Sequence, residues 1–396
     1  MLSRELLELL HEAASIQRWN DHIRPHVGFS ELDKQAHKMV FAWVLARSEE
    51  DRQVAVDWNR LVAGGIYEFL HRVKLTDLKP PVYYRLMEEK RAELNAWVLR
   101  ELEATLRGLP GEFCADFARY LADDGAWPLE KRILKAAHFL ATQWEFDIIY
   151  HLNSTLYGLE ETRVSISNEL EEHYDLAGVQ KLLLKKKTHA FIDLVGQLRF
   201  QKRWAQTPRV PETTVLGHML VVAVMAYLCS LGLGACPRRA VNNFLAGLLH
   251  DLPEVMTRDI VSPVKRSVAG LDGIIKEYEG AQMREVILPL LSPAWHAQLL
   301  YLTADEFANK VLEEGAARKV AWEELHRCYN RDEYSPVDGE LLEACDKLAA
   351  FIEATLSISY GIAPPHLVRA KSSIYEGFKG KRLGPLDLGA MFDHFA

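Results

Sequence analysis

His250 and Asp251 stand side by side at the end of an apolar run, Phe244 to Leu249, and are followed by Leu252, Pro253 and Glu254. An imidazole and a carboxylate that close a buried segment can both turn toward one cation. Within a continuous helix the two side chains diverge by about 100°, so they converge only where the helix stops and the backbone turns. Pro253 fits such a break: it donates no hydrogen bond and restricts Leu252. His218 lies upstream on a second apolar segment, and Asp346 lies downstream in Ala344-Cys345-Asp346-Lys347. With Ala344, Cys345, Leu348 and Ala349 around it, an inward Asp346 carboxylate needs a partner. His218, His250, Asp251 and Asp346 thus form a set without thiolate. It suits one divalent cation (Mn, Co, Fe, Mg or Zn) better than a structural zinc. Four protein ligands leave room in an octahedron for water and a phosphate oxygen.

Glu254 is four residues past His250 and three past Asp251, placing it near the same face as a group to orient or deprotonate bound water. Asp259, in Thr257-Arg258-Asp259, and Lys265, after Ser262-Pro263-Val264, belong to a polar loop directly beyond the pair. That loop is positioned to meet a leaving group and a phosphate.

These residues must be positioned by helices. Apolar stripes of helical period run through Ser3–Ala14, His37–Ala46, Val54–Phe69, Leu86–Leu106, Glu112–Leu121 and Leu129–Tyr150. They continue through Leu176–Leu198, Val215–Leu231, Arg238–Leu249, Leu271–Leu290 and Leu341–Ser357, while alternating strand patterns are scarce. The predicted class is all-α. The chain has 396 residues, 49% of them hydrophobic, so a sizeable core and more than one domain are expected. A net charge of -8 argues against broad binding of nucleic acid. The five cysteines show no C-x-x-C spacing and read as reduced thiols. With no long apolar run after Met1, a cytoplasmic location is expected. Val215–Cys236 approaches membrane-spanning length but carries His218 and several glycines; it reads as a buried helix, and no membrane partner is expected. The cluster Lys181, Lys185, Lys186 and Lys187 reads as a solvated helix face.

A faint internal repeat organises the chain. Ile16-Gln17-Arg18-Trp19 returns as Phe200-Gln201-Lys202-Arg203-Trp204, and each is followed by a histidine on an apolar helix, His37 and then His218. Tyr67-Glu68 stands where His250-Asp251 stands, His71 roughly where Glu254 does, Asp77 where Asp259 does, and His138 where Asp346 does. Two tandem helical domains of related design are expected, 1–190 and 191–396, packed as a pseudo-dimer. The first reads as a degenerate copy, with anion binding through Arg18 and Asp77, or a rewired His37, Glu68 and His138 set, as the sharper alternative.

The order His218, then His250-Asp251, then Asp346 resembles the HD-domain metal-dependent phosphohydrolases. His250-Asp251-Leu252-Pro253-Glu254-Val255 with Thr257, Asp259 and Pro263-Val264-Lys265, preceded by Arg203-Trp204, resembles the YfbR-like 5'-deoxynucleotidases within that superfamily over roughly residues 196–360. The resemblance implies hydrolysis of nucleoside 5'-monophosphates, with the metal on His218, His250, Asp251 and Asp346. It further implies that Glu254 and Asp259 assist the chemistry, that Arg203 binds phosphate, and that Trp204 packs where a ribose 2'-hydroxyl would sit. A bulky ring there offers a hydroxyl neither space nor a partner. Leu216-Gly217 precede His218 where the family has an acidic or polar residue, a departure that bears on substrate preference. A small nucleotide is the expected partner, and an oligomer is allowed. The alternatives are another HD phosphoester hydrolase (a phosphodiesterase or nucleoside triphosphohydrolase) and a non-catalytic nucleotide sensor or scaffold.

Overall fold

A computed structural model of the protein describes residues 2–18, 28–76, 78, 80–153, 156–258 and 270–396. The architecture is all-α. Helices α1 (Arg4–Glu12), α2 (Glu31–Glu50), α3 (Trp58–Leu75), α4 (Pro80–Glu103), α5 (Gly111–Ala122) and α6 (Pro128–Asn153) come first. Next come α7 (Leu159–Glu171), α8 (Ala177–Leu183), α9 (Lys187–Gly196), α10 (Val215–Gly232), α11 (Pro237–Leu249) and the single turn α12 (Glu254–Thr257). The chain ends with α13 (Leu271–Gln282), α14 (Pro293–Thr303), α15 (Trp322–Cys328), α16 (Gly339–Ser359), α17 (Pro365–Phe378) and α18 (Leu388–Asp393). The strands are short antiparallel pairs: β1 (Gln17–Arg18) with β2 (Phe29–Ser30), β3 (Lys310–Glu313) with β4 (Ala316–Lys319), and β5 (Arg382–Leu383) with β6 (Leu386–Asp387). Asp259, Lys265, Asp77 and Trp19 lie outside the described residues.

The centre of the molecule is the packing of α2 on α10. α10 is apolar nearly all round, as a helix buried on every side is expected to be, whereas α2 is just as buried but carries Glu31, Asp33, Lys34, Gln35, His37 and Lys38 in its first turns. α10 is long and apolar enough to cross a membrane, but 89% of it is buried inside the protein. α6 and α3 pack with α2, α11 and α16 pack with α10, and α3 meets α11.

The two central helices start side by side. The Ser30 hydroxyl caps α2 by accepting from Asp33 N–H, and the Thr214 hydroxyl caps α10 by accepting from Gly217 N–H, each satisfying an orphan donor of the first turn. The buried Asp33 carboxyl accepts from both cap hydroxyls, Ser30 and Thr214. Gly217 permits this approach, since a Cβ there would stand 2.9 Å from Asp33 Oδ1.

Helix ends differ from the periodic reading where the backbone reverses. The stripe Leu176–Leu198 breaks into α8 and α9 because Lys185 adopts a left-handed φ of 49°. Leu271–Leu290 is helical to Gln282 and then continues through a π turn, Met283–Ile287, and a 3-10 turn, Leu288–Leu290. α7, α14 and α17 have no counterpart among the predicted stripes. All five cysteines are free thiols.

α11 crosses α10 at Gly247, where a Cβ would lie 2.7 Å from Ala223 Cα. Glycine costs stability in a helix interior, so its presence marks a contact no side chain fits. Gly247→Ala is expected to destabilise the protein by about 1–3 kcal/mol in a denaturant titration, despite alanine's better helix propensity. An unchanged or raised midpoint would contradict this packing.

Candidate metal centre

α11 ends at Leu249, His250 is its C-cap, and the chain turns through Leu252 and Pro253 into α12. The turn brings His250 beside His218, on the first turns of α10, and Asp346, on α16. Among the described residues, His218, His250 and Asp346 form one buried group whose ligand atoms all lie within 4.8 Å of one another. His218 Nε2 is 2.9 Å from Asp346 Oδ1. The His250 ring is anchored from behind, with Nδ1 2.8 Å from the Gly247 carbonyl oxygen. Read as an N–H donor to that carbonyl, Nδ1 leaves the Nε2 lone pair for a cation, the tautomer that metal-binding histidines require. His250 Nε2 is buried without a hydrogen bond of good geometry and lies 3.2 Å from Asp251 Oδ2. An orphaned imidazole nitrogen facing carboxylates fits a divalent cation, and these residues could hold one.

Asp251 is half-buried and stands beside the trio rather than within it. Its Oδ2 also lies 3.6 Å from Arg203 Nη1. The Arg203 guanidinium spans the site, with Nη2 4.0 Å from Asp346 Oδ1 and Nε 3.6 Å from Glu353 Oε2. Trp204 has a left-handed φ of 58°, and its indole N–H donates to Glu353 Oε2 at 2.8 Å. Glu254 is buried at the start of α12, one turn beyond Asp251, with its N–H bonded to the Asp251 carbonyl.

One carboxylate and one ion pair at this site were not singled out from the sequence in these roles. Glu353 is buried on α16 two turns past Asp346 and accepts from Trp204 Nε1 and, at 2.6 Å, from Thr213 Oγ1. A lone carboxylate in the run Ala349-Ala350-Phe351-Ile352-Glu353-Ala354 carries the same signal that pointed to Asp346. Lys347 donates to Asp346 Oδ2 at 2.7 Å, so the Asp-Lys dipeptide is an ion pair as well as part of the cluster.

The electrostatics are strongly coupled. Burial alone would lower the His250 imidazole, but Asp251 and then Asp346 outweigh it and raise it to about 9. Burial would raise Asp251, but His250 and Arg203 bring it to about 2. Asp346 is held well below the usual carboxylate range against its burial by Lys347, His218 and Arg203. His218 is lowered, by burial first and Arg203 second. Burial also opposes ionisation of Glu353, yet Arg209, Arg203 and His218 keep it below its ordinary value.

The first half shows matching contacts with different chemistry. Arg18 pairs across from Phe29 in β1–β2, as Arg203 N–H bonds Thr213 O. Glu31 N–H donates to Ile16 O at 2.8 Å, as Val215 N–H donates to Gln201 O at 2.9 Å. Counting from the two cap residues, the position of His218 falls to Lys34, not to His37. Lys34 Nζ is 2.5 Å from His138 Nδ1, the counterpart of the His218–Asp346 contact. Seven residues past His138, Glu145 accepts from Arg18 Nε at 2.8 Å and from Arg199, as Glu353 meets Arg203. His37 is directed elsewhere, with Nε2 3.2 Å from Ile192 O and its ring against Phe41 and Trp144. Burial, then Arg199, lowers it to about 3. Glu68 takes Lys38 and Tyr120 as partners. The set His37, Glu68 and His138 is therefore not gathered into one site. His71 bonds Asn95 Oδ1, and Tyr67 donates to Phe113 O.

Residues 195–374 match the family model of the HD domain, somewhat under half of the chain, and HD domains are generally metal-dependent phosphohydrolases. A search of curated proteins returned no match to the chain.

Cation binding at His250 requires its neutral form, and its raised pKa means that a proton must leave first. Mn²⁺ affinity is therefore expected to rise with pH and to level off above about 9. At pH 7, binding should release protons, measured by titration calorimetry in buffers of differing ionisation enthalpy. Proton-neutral binding at pH 7 would contradict this account of His250.

Proposed function

We propose that the protein is a metal-dependent phosphomonoesterase that hydrolyses nucleoside 5'-monophosphates, with a preference for deoxyribose. The observation that carries this reading is the buried His218, His250 and Asp346 cluster, with Asp251 and Arg203 at its edge. His218, His250, Asp251 and Asp346 would hold the cation, with a modest movement of Asp251 toward the trio. A divalent ion bound there supplies Lewis acidity toward water and phosphoryl oxygens.

The chain's own residues supply the rest. Arg203 offsets charge on the phosphoryl oxygens. Glu254, buried beside the turn that carries His250-Asp251, takes the proton of the attacking water. Water oxygen adds to phosphorus, the P–O5' bond breaks, and the departing alkoxide takes up a proton, leaving nucleoside and inorganic phosphate. Asp259 as the proton donor and Lys265 as a phosphate contact are roles that rest on the sequence. Trp204 presents a ring where a 2'-hydroxyl would need space.

The reading extends to the first half as a related unit that has exchanged its metal set for internal charge pairing. The matching contacts about Arg18, Lys34, His138 and Glu145 support it, as does the packing of α2 on α10 and α3 on α11, which suits a pseudo-dimer of residues 1–190 and 191–396. One cation per chain follows.

With Mn²⁺ present, phosphate release from nucleoside 5'-monophosphates is expected, and it should vanish in the His250→Ala, Asp251→Ala double variant and with chelator. Arg203→Ala should lower kcat/KM by about 10²–10³-fold. Release of pyrophosphate from triphosphates without action on monophosphates would shift the assignment to the triphosphohydrolase alternative.

Metal analysis of the dialysed protein should find one Mn²⁺ per chain. That value should be unchanged in His138→Gln and lost in His218→Ala. Two ions per chain would sink the reading of the first half.

A further inference from the structure

Glu353 is a deeply buried carboxylate of the second half that the proposed mechanism does not use. It sits on α16 two helical turns beyond Asp346, and both of its oxygens are engaged. Oε2 accepts from the Trp204 indole at 2.8 Å and faces Arg203 Nε at 3.6 Å. Oε1 accepts from Thr213 at 2.6 Å and lies 3.9 Å from His218 Nδ1. Thr213 in turn accepts from Arg209, whose Nη1 donates to Pro211 O at 2.7 Å. One carboxylate thereby ties together the residue expected to meet phosphate, the ring expected to meet sugar, and the segment that leads into α10.

Glu145 holds the corresponding position in the first half, seven residues past His138. There the carboxylate draws the equivalent Arg18 Nε in to 2.8 Å and takes Arg199 as well. In the second half Trp204 and Thr213 occupy the hydrogen-bonding directions of Glu353, and Arg203 stands off at 3.6 Å. Its Nη1 and Nη2 then reach toward Asp251 and Asp346 instead. The left-handed backbone at Trp204 is a strained conformation for a bulky residue, and the indole hydrogen bond holds the ring at the end of it.

We propose that Glu353 is the positioning residue for substrate selection, fixing the Trp204 ring and the Arg203 guanidinium in one orientation over the metal cluster. Glu353 touches neither substrate nor metal in this scheme; it acts through the two residues that do. The proposal rests on the nucleotidase reading for the identity of the substrate, though not for the contacts themselves.

The test uses the full chain with Glu353→Gln, which keeps the side chain's size and an acceptor oxygen but removes its charge. Thr213→Val serves as a second variant that leaves the charge in place, and it carries the test if Glu353→Gln does not fold. The Trp204 indole N–H resonance, assigned by its loss in Trp204→Phe, should shift in both variants. Mn²⁺ content should stay at the wild-type value. KM for a deoxynucleoside monophosphate should rise by about 10- to 100-fold in Glu353→Gln, the range that a charge-assisted hydrogen bond is worth, with kcat much less affected. The ratio of deoxy- to ribonucleotide kcat/KM should fall by about 10-fold or more. Unchanged KM and selectivity with a shifted indole resonance would reduce Glu353 to a structural role. An unmoved resonance would refute the contact, and loss of Mn²⁺ would make it a support of the metal ligands instead. If the wild-type chain hydrolyses no nucleotide, the functional reading fails by itself. Binding of inorganic phosphate to the Mn²⁺-loaded wild type and Glu353→Gln then decides the proposal: weaker binding in the variant supports it and equal binding overturns it.

Discussion

His218 on α10 meets Asp346 on α16 at 2.9 Å inside a helical core, and the His250 imidazole faces the same carboxylate group. Burying ionisable groups is costly unless each is paired and hydrogen-bonded. The central helices of this protein satisfy that constraint twice, with different partners. In the second half two imidazoles and the Asp346 carboxylate, with Asp251 at the edge, surround a point where a cation would complete the pairing. In the first half the corresponding helix positions carry Lys34 against His138, Lys38 against Glu68, and Arg18 against Glu31 and Glu145. Burial and neighbouring cations hold both Lys34 and His138 well below their ordinary values. A neutral imidazole can accept from Lys34, and a lysine head group stands in the part that a metal would play.

The scaffold that makes this possible is close helix packing at small residues. Gly247 lets α11 ride against Ala223 of α10, and its carbonyl also anchors His250 Nδ1. One residue therefore sets both the distance between helices and the tautomer of a ligand. The capped starts of α2 and α10, joined through Asp33, bring the two halves together at the same end of the core. Helix α1 packs on α16 of the second half, while Arg199, just past α9, reaches Glu145 of the first. Each half thus lends a segment to the other's buried charges.

Much of the site was legible because its signals are local. An ionisable residue inside an apolar run needs a partner, and His218, His250 and Asp346 all stand in such runs. The same logic applied to Glu353, yet a single glutamate has no motif around it, and its partners Trp204 and Thr213 are about 140 residues away in sequence. In the first half, the place of His37 differs from the sequence reading for a related reason. His37 has the residue type of His218 and a similar place on its helix, so composition favours it. Register counted from the Ser30 and Thr214 caps places Lys34 there instead, and one turn of helix separates the two answers. The break at Lys185 escaped the periodicity because a single left-handed residue leaves the apolar pattern on both sides intact.

By itself the sequence determined an all-α chain, a helix that must end at His250-Asp251, and the residue types available for a cation. Those properties follow from periodicity, from Pro253 and from the chemistry of side chains, which act over a few residues. Only the tertiary structure decided which groups meet. Asp346 reaches His218 rather than solvent, Asp251 stands beside the trio and turns toward Arg203, and Lys34 takes the place offered to His37. Those outcomes depend on the crossing and register of elements far apart in the chain, where a shift of one residue turns a helical side chain by about 100° around its axis.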